Sequence, residues 1–286
     1  MRRAAIVGPG RVGTALALAL RGEAIVLGAA GGRDGSQQLF QQRTGVPLWD
    51  DAKALCKGAD WVFLTVPDRS VVAVAESLAS QGAFHSGQVV CHTAGSLDNS
   101  ALRAAAAHGS ATVALHPMQS VADPTLGRAA FTGAVCTLQG DEGAVTDASV
   151  LVEALGMRPW RVSAHDKARL HAASVLASNA LLGLLALAAE TAAGSLDREG
   201  RDLALSALLP LCRGTLQNVS AMGLPAALTG PVERGDVSTV QRHLGLLQGD
   251  ALVAYRAFLP VLVRLGREKG SLQLSRASAL LDLVRR

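Results

Sequence analysis

Residues 3–20 read RAAIVGPGRVGTALALAL. In this stretch an apolar run is followed at once by Gly8, Gly10 and Gly13, and an alanine- and leucine-rich run begins behind the last glycine. The first glycine of such a turn permits its tight bend, the second lets a ligand approach the backbone, and the third lets a helix pack closely on a strand. The stretch therefore predicts a strand, a turn and a helix, which form the first unit of a doubly wound parallel sheet.

The turn also predicts its ligand. The N-terminus of the following helix presents unpaired N–H groups and the positive end of the helix dipole, and both favour phosphate. Together with the G-x-G-x-x-G spacing, this favours a turn that binds the pyrophosphate of a nicotinamide dinucleotide. The alternative is an ordinary glycine turn without a ligand. The residues expected to bind it are Gly8, Gly10, Arg11, Val12 and Gly13.

The rest of the first half repeats the alternation of strands and helices. Apolar runs suited to strands lie at 3–7, 23–29, 61–66, 88–93, 112–115 and 134–138. Such alternation predicts parallel strands joined by crossovers, in a Rossmann domain. Beyond residue 162, long alanine- and leucine-rich stretches replace the short runs. We therefore predict an α/β dinucleotide-binding domain at 1–162 and an all-α domain at 163–286.

The end of the second strand distinguishes NADP from NAD. An arginine there accommodates a 2′-phosphate, whereas an acidic residue holds the ribose hydroxyls. The sequence has both, as Arg33 and Asp34, so NADP is predicted and NAD stays an alternative. Loops after later strands should flank the nicotinamide half, or serve only as turns. The residues concerned are Val66, Pro67, Thr93 and Gly95.

Histidine and lysine are the candidates for proton transfer, because reduction of a carbonyl needs a proton donor and a group that steadies negative charge. His116 follows a predicted strand and should stand at the ligand edge of the sheet; a structural loop histidine is the alternative. The helix near residue 164 carries a polar stripe at helical spacing, formed by Lys167, His171, Ser174 and Ser178. We predict that this stripe lines a cleft between domains rather than meeting solvent or other buried side chains.

Two further polar residues are candidates for substrate binding. Asn179 lies among leucines and alanines, where an amide without hydrogen bonds is costly, so it could bind substrate or cofactor, or join a contact between helices. Arg234 lies in a turn rich in glycine, where it could clamp a carboxylate or a phosphate, or be solvated. Asp68 and Asp236, in contrast, are expected to cap helices.

Charge and cysteine content exclude several classes of function. The net charge of +4 is spread without a basic block, which favours a small anionic ligand over nucleic acid. The four cysteines have no metal-site or disulfide spacing, which predicts no metal and a reducing, cytoplasmic location.

Two apolar stretches raise the question of export or a membrane span. Glycines interrupt the apolar N-terminus, so export is not expected. The uncharged run at 172–189 is marginal for a membrane span, and we predict a buried helix there.

Five motifs together resemble a known family. They are GPGRVG at 8–13, HTAGS at 92–96, HPMQ at 116–119, HAASVLASN at 171–179 and TGPVERGD at 229–236. In this order they resemble an uncharacterised family of Rossmann-like oxidoreductases with a helical C-terminal domain of unknown function, over nearly the whole chain. That family is similar to pyrroline-5-carboxylate reductase, ketopantoate reductase and the deazaflavin-dependent NADP oxidoreductases. The resemblance implies reduced-nicotinamide chemistry between two domains and a homodimer formed through the helical half.

The sequence departs from these relatives, so their substrates are not transferred to it. It lacks the SGSGP run of pyrroline-5-carboxylate reductases, and His171 stands where a ketopantoate-reductase-like pair has asparagine four residues after lysine.

We expect an NADP-preferring oxidoreductase of a small carbonyl compound or imine, with Lys167 or His171 as proton donor. Substrate is expected to be positioned by His116, Ser178, Asn179 and Arg234. The alternatives are a non-catalytic dinucleotide-binding sensor or interaction module, and a structural dimer with a degenerate nucleotide site.

Overall fold

A computed structural model describes residues 1–194 and 197–285 of the chain. It divides into two compact units, Met1–Leu176 and Ala177–Arg286. The first unit is a helix-flanked sheet and the second is helical, which confirms the predicted fold class. The predicted division between functional domains at 162/163 stays a prediction.

The strands of the first unit follow the short apolar runs. They are β1 (Arg2–Val7), β2 (Ala24–Ala30), β3 (Leu48–Trp49), β4 (Trp61–Leu64), β5 (Val89–His92), β6 (Ala111–Pro117), β7 (Val135–Gly140) and β8 (Arg158–Arg161). Within the described residues they form one eight-stranded sheet, in the order β3-β2-β1-β4-β5-β6-β7-β8. Strands β1, β4, β5 and β6 are parallel neighbours, so their carboxyl ends share one edge of the sheet.

Helices cover both faces of this sheet. They are α1 (Arg11–Ala19), α2 (Asp34–Thr44), α3 (Ala52–Lys57), α4 (Val71–Ser80), α5 (Arg103–Ala106), α6 (Glu142–Ala154) and α7 (Ala164–Val175). Successive strand residues point to opposite faces. Phe63 therefore packs in a core with Leu16 of α1 and Val152 of α6, while Val62 packs in a second core with Leu78 of α4. Burial on both faces explains the continuous apolar runs that mark the strands.

One strand does not follow the predicted parallel arrangement. β7 pairs antiparallel with β6, and Cys136 near its start lies opposite Pro117 at the end of β6. The chain therefore turns back through residues 118–134, and an antiparallel neighbour needs no crossover helix.

Three further elements were not predicted, because their sequences lack a clear apolar pattern. α2 buries only Phe40 and Thr44, β3 has two residues, and β8 is a largely exposed strand that reads RPWR.

The second unit is helical. Its helices are α8 (Leu181–Ala193), α9 (Arg198–Met222), α10 (Leu224–Ala227), α11 (Val237–Leu246), α12 (Gly249–Lys269) and α13 (Leu274–Asp282). A small core forms around Val240, Leu259 and Leu280. Asp236 caps α11 as predicted, since its carboxylate accepts a hydrogen bond from the Thr239 amide at 3.0 Å.

The apolar helix that contains residues 172–189 is not buried within the chain, contrary to the prediction. By length and composition, the helical segment Ala164–Ala193 is long and apolar enough to cross a membrane. Only 6% of its most apolar stretch is buried within the chain. A single such helix is weak evidence for a membrane. Its residues include a π-helical turn at Leu176–Ala180. Of the described residues of α9, which packs on α8, none is buried either. The single chain therefore leaves apolar helical surface uncovered.

Candidate active site

The glycine turn joins β1 to α1 with close backbone contacts. Gly8 has φ +100°, a conformation that other L-residues rarely adopt. Its amide donates to the Ala30 carbonyl at 2.9 Å, and its carbonyl accepts from the Thr65 hydroxyl at 2.6 Å. A β-carbon on Gly13 would lie 2.5 Å from the Gly8 carbonyl oxygen. Gly8 and Gly13 are therefore required by the packing of the turn itself.

Gly10 differs from these two glycines. A β-carbon there would meet no described atom within 4 Å, and φ is −80°. Gly10 precedes the first turn of α1, and no described side chain caps that helix end. The α1 N-terminus thus presents uncapped backbone N–H groups beside open space, which fits a pyrophosphate. Exposed Arg11 and half-buried Val12 form the start of α1.

The end of β2 leads into two glycines and then α2. Arg33 is exposed and occupies the N-cap position of α2, and Asp34 is the first helical residue. Among the described residues, Arg33 forms no ion pair, so its guanidinium is available to an anion at this edge. The Gly31 carbonyl accepts from the Gln37 side chain at 3.2 Å, which fixes the loop in front of Arg33.

The loop after β5 is anchored by His92. The His92 ring is buried; its Nδ1 accepts from the Ala94 amide at 3.2 Å, so its Nε2 is the protonated nitrogen and donates to the Asp98 carbonyl at 3.0 Å. Burial lowers the pKa of His92 to about 4. The ring is therefore neutral at physiological pH, and it holds both ends of the loop that carries Gly95.

The loop after β4 reaches the same place through Asp68. The Asp68 carboxylate accepts from the Ser96 hydroxyl at 2.6 Å and from the Ser96 amide at 3.3 Å. The expectation that Asp68 caps a helix is wrong, because the 3₁₀ segment Asp68–Ser70 has Pro67 at its N-cap and no side-chain cap. The carboxylate instead joins two loops at the edge of the sheet where the carboxyl ends of β4 and β5 lie.

His116 and His171 meet at Gly95. Their rings are 5.7 Å apart between centroids and meet edge to face at 76°. A β-carbon on Gly95 would lie 2.8 Å from His116 Nε2 and would overlap His171 Nδ1. Only a glycine therefore leaves room for the two imidazoles. Burial, and then the charge of Lys167, lowers the pKa of His116 to about 4, so this ring is neutral at physiological pH.

Lys167 completes the cluster. It lies in α7 one helical turn before His171, and the residue is 2% exposed. Among the described residues, neither Lys167 Nζ nor His171 Nδ1 has a hydrogen-bond partner. Burial lowers the pKa of Lys167 to about 8, against the opposing influence of Cys136, Asp68 and Asp98. A buried ammonium without a partner is costly, which suggests a group that acts on a ligand.

The first unit thus brings together three of the predicted site residues, Lys167, His171 and His116, with Gly95 beside them. The remaining cofactor residues lie on neighbouring loops: Val66 packs beside Gly8, Pro67 precedes Asp68, and the Thr93 amide extends the ladder to the Leu64 carbonyl.

The predicted residues Ser178, Asn179 and Arg234 belong to the second unit. The Ser178 hydroxyl donates to the Asn179 side-chain oxygen at 3.0 Å, and Arg234 is exposed. The π-helical turn changes the helical phase at Ser178 and Asn179, so spacing alone does not place them on the face of Lys167. Their roles stay predictions. Sequence reasoning did not place His92 or Asp68 in the site.

Comparisons with known proteins agree with this architecture. Residues 2–117 match the model of a Rossmann-like domain, and residues 134–259 match a domain of unknown function, DUF2520. No curated protein is significantly similar to the sequence.

Solved structures share the fold at low sequence identity. A protein of Bacteroides fragilis assigned as an NADP oxidoreductase is 19% identical, with a TM-score of 0.71 over 95% of this chain and 98% of its own. A reductive aminase of Aspergillus terreus, in complex with NADPH and ethyl levulinate, is 17% identical, with a TM-score of 0.65 over 99% of both chains. An imine reductase of Myxococcus stipitatus with NAD⁺ is 16% identical, with a TM-score of 0.59 over 98% of this chain and 99% of its own.

Identity at this level shows a shared fold and leaves the activity to be argued from the site. The two family models match in the order that the motifs indicate, a Rossmann-like domain first and DUF2520 behind it.

Proposed function

We propose that this protein is an NADP-preferring oxidoreductase that reduces a small carbonyl compound. The observation that carries the proposal is the buried Lys167 amine, without a hydrogen-bond partner among the described residues and beside two histidines, in the unit that also holds an open glycine turn. A bound reduced nicotinamide would supply the hydride. The chain's own residues would hold the dinucleotide, orient the substrate and deliver the proton.

Lys167 is the proposed proton donor. With a pKa near 8, its amine is mainly protonated at neutral pH and still gives up a proton readily. Donation to the substrate oxygen leaves a neutral amine, which a buried site tolerates better than a charge. His171 is the alternative donor, since its Nδ1 is also without a partner among the described residues.

His116 is proposed to orient the substrate rather than to supply charge, because its pKa near 4 keeps the ring neutral. Ser178, Asn179 and Arg234 are proposed as substrate-binding residues from their sequence context.

The cationic Lys167 favours a carbonyl over an imine. An ammonium stabilises the negative charge that develops on a carbonyl oxygen, whereas it repels a positively charged iminium. The similar folds of a reductive aminase and an imine reductase make imines the second class to test.

Calorimetric titration with NADPH and NADH tests the proposed cofactor. Gly10→Ala should abolish or strongly weaken binding of both nucleotides without unfolding the chain, because its β-carbon meets no described atom but would occupy the approach of the pyrophosphate. Arg33→Ala should weaken NADPH selectively. Gly143→Ala, at another helix start with open space, is the matched control and should bind normally. Failure of the wild-type protein to bind either nucleotide would contradict the proposal.

We also propose that two copies associate through the helical unit, as the sequence resemblance implies. α9 is 25 residues long, and Leu203 and Leu211 on it are 70% and 67% exposed. Leu182 of α8 and Phe258 of α12 are exposed as well. Extended apolar surface of this kind marks an interface, and a second copy covers it without requiring another partner.

A further inference from the structure

The Asp68 carboxylate links the loops after β4 and β5, which lie beside the cluster of Lys167, His116 and His171. It follows β4, and both of its contacts, to the Ser96 hydroxyl and amide, are on the loop after β5. A single carboxylate that accepts both donors of one residue fixes the position of that residue more closely than either bond alone.

Ser96 immediately follows Gly95, the residue against which both imidazoles pack. A movement of Ser96 therefore moves Gly95, and with it the contact surface of His116 and His171. Both ends of the loop are already fixed by the His92 ring, which binds the Ala94 amide and the Asp98 carbonyl. Asp68 supplies the missing restraint in the middle of the loop.

Charge gives Asp68 a second role. The titratable groups around Lys167 come from four elements, namely His92 of β5, His116 of β6, Cys136 of β7 and His171 of α7, and from the carboxylates Asp68 and Asp98. The rings of His92 and His116 are neutral at physiological pH, and burial keeps the Cys136 thiol protonated by raising its pKa. Of the described groups around Lys167, only the two carboxylates offer negative charge to the ammonium while the Cys136 thiol is protonated.

The two carboxylates are used differently. Asp98 is bound by the Ser100 amide and hydroxyl at the start of the 3₁₀ segment Asn99–Leu102, so its carboxylate serves a local cap. Asp68 is bound on the loop that contacts the histidines. Its charge is thus coupled to the geometry of the cluster.

We propose that Asp68 is a positioning residue of the site, which holds the Gly95 loop through Ser96 and contributes negative charge toward the Lys167 ammonium. This inference rests on the proposed oxidoreductase function for its purpose, although its physical content concerns the free protein. Asp68 acts through Ser96 and through its field, and no contact of Asp68 with a reacting atom is required.

The titration of Lys167 in the free protein tests the charge. The sequence has four lysines, so protein labelled with ¹³C at lysine Cε gives few signals, and Lys167→Arg identifies the one that belongs to Lys167. Asp68→Asn should shift the Lys167 titration downward by roughly half a pH unit or more, because the favourable charge is lost. Asp68→Ser gives a second neutral variant in case the asparagine disturbs folding.

Two controls separate charge from position. Ser96→Ala keeps the carboxylate and should leave the Lys167 titration near that of the wild type, while it alters the NMR signals of Gly95 and of the His116 and His171 rings. Asp123→Asn removes a carboxylate that binds Thr125 in the same capping geometry as Asp98 binds Ser100, in a different loop, and should change neither measurement.

The outcomes distinguish this inference from the proposed function. An unchanged Lys167 titration in both folded neutral variants would overturn the counter-charge role, and unchanged Gly95 and histidine signals in Ser96→Ala would overturn the positioning role. Neither measurement needs nucleotide or substrate. Once a substrate is found, Asp68→Asn should move the midpoint of the alkaline limb of the pH–rate profile to lower pH, by as much as it lowers the Lys167 titration. A midpoint that stays in place would contradict the role in proton transfer.

Discussion

At the scale of single residues, Gly95 decides whether the proposed site can exist. Its α-carbon faces two imidazole rings, and even one methyl group would overlap His171 and come within 2.8 Å of His116. The overlap involves two half-buried imidazole rings, which give way less easily than the end of a flexible side chain.

Gly95→Ala should therefore displace both rings, lower the free energy of unfolding by about 1–3 kcal/mol, and reduce turnover by at least about tenfold. Binding of NADPH in calorimetry should change much less, since the glycine turn at 8–13 is untouched. Gly143→Ala has open space for its methyl group and serves as the control. Normal turnover in folded Gly95→Ala protein would show that the histidine pair is not part of the reaction.

Lys167 carries its amine into the interior of the folded chain, where burial disfavours the charged form. Its pKa is about 8 in the folded chain against an ordinary value of 10.5. Between these two values the unfolded chain binds more protons than the folded one, so the free energy of unfolding should rise as pH increases from 8 to 10.5. Below pH 8 the folded chain carries the full cost of the buried ammonium.

Lys167→Met should accordingly stabilise the protein at pH 7, by on the order of 3 kcal/mol at most, and this gain should disappear above pH 10.5. Urea unfolding at pH 7, 9 and 10.5 measures it. Lys57→Met, at an exposed position, should show no comparable dependence on pH. A Lys167→Met variant that is no more stable than the wild type at pH 7 would indicate that the ammonium has a partner in solution.

At the scale of elements, the β1–α1 turn separates two uses of glycine. Gly13 is needed for packing, because a methyl group there would lie 2.5 Å from the Gly8 carbonyl oxygen and 2.6 Å from the Thr65 hydroxyl. Gly10 faces open space, so packing does not require a glycine there, and its proposed role is to let the ligand approach. The same three-glycine motif thus contains a position that packing requires and a position proposed for binding.

Gly13→Ala should therefore lower the melting temperature of the free protein by several degrees, whereas Gly10→Ala should leave it unchanged and lose nucleotide binding. Differential scanning calorimetry with and without NADPH distinguishes the two. Equal destabilisation by both substitutions would show that Gly10 is also held by packing.

At the scale of the whole molecule, the helical unit exposes apolar surface whose contact with water is unfavourable. Light scattering at micromolar concentration should show a dimer. Leu203→Glu combined with Leu211→Glu should produce monomers, since both side chains are largely exposed on α9. Val150→Glu changes a comparably exposed residue of the first unit and should leave the dimer intact. A wild-type protein that is monomeric, or soluble only in detergent, would contradict the proposed association.

The sequence by itself determined the local units. Gly8, Gly10 and Gly13 behind an apolar run specify strand, turn and helix through backbone sterics and periodicity, which act between near neighbours. The six stronger strands and the change to a helical second half follow from the same local patterns. The sequence did not predict α2, β3 and β8. Few of their side chains reach the core, so these elements show no clear apolar pattern.

Only the tertiary structure decided what meets at the site. His116 and Lys167 are far apart in sequence, and the register of the sheet and the packing of α7 bring them to one place. The antiparallel turn into β7, the use of Asp68 as a link to Ser96, and the fit of Gly95 between two rings likewise depend on contacts between distant segments. Such contacts leave no periodic pattern in a sequence, because they depend on distances in space rather than on spacing along the chain.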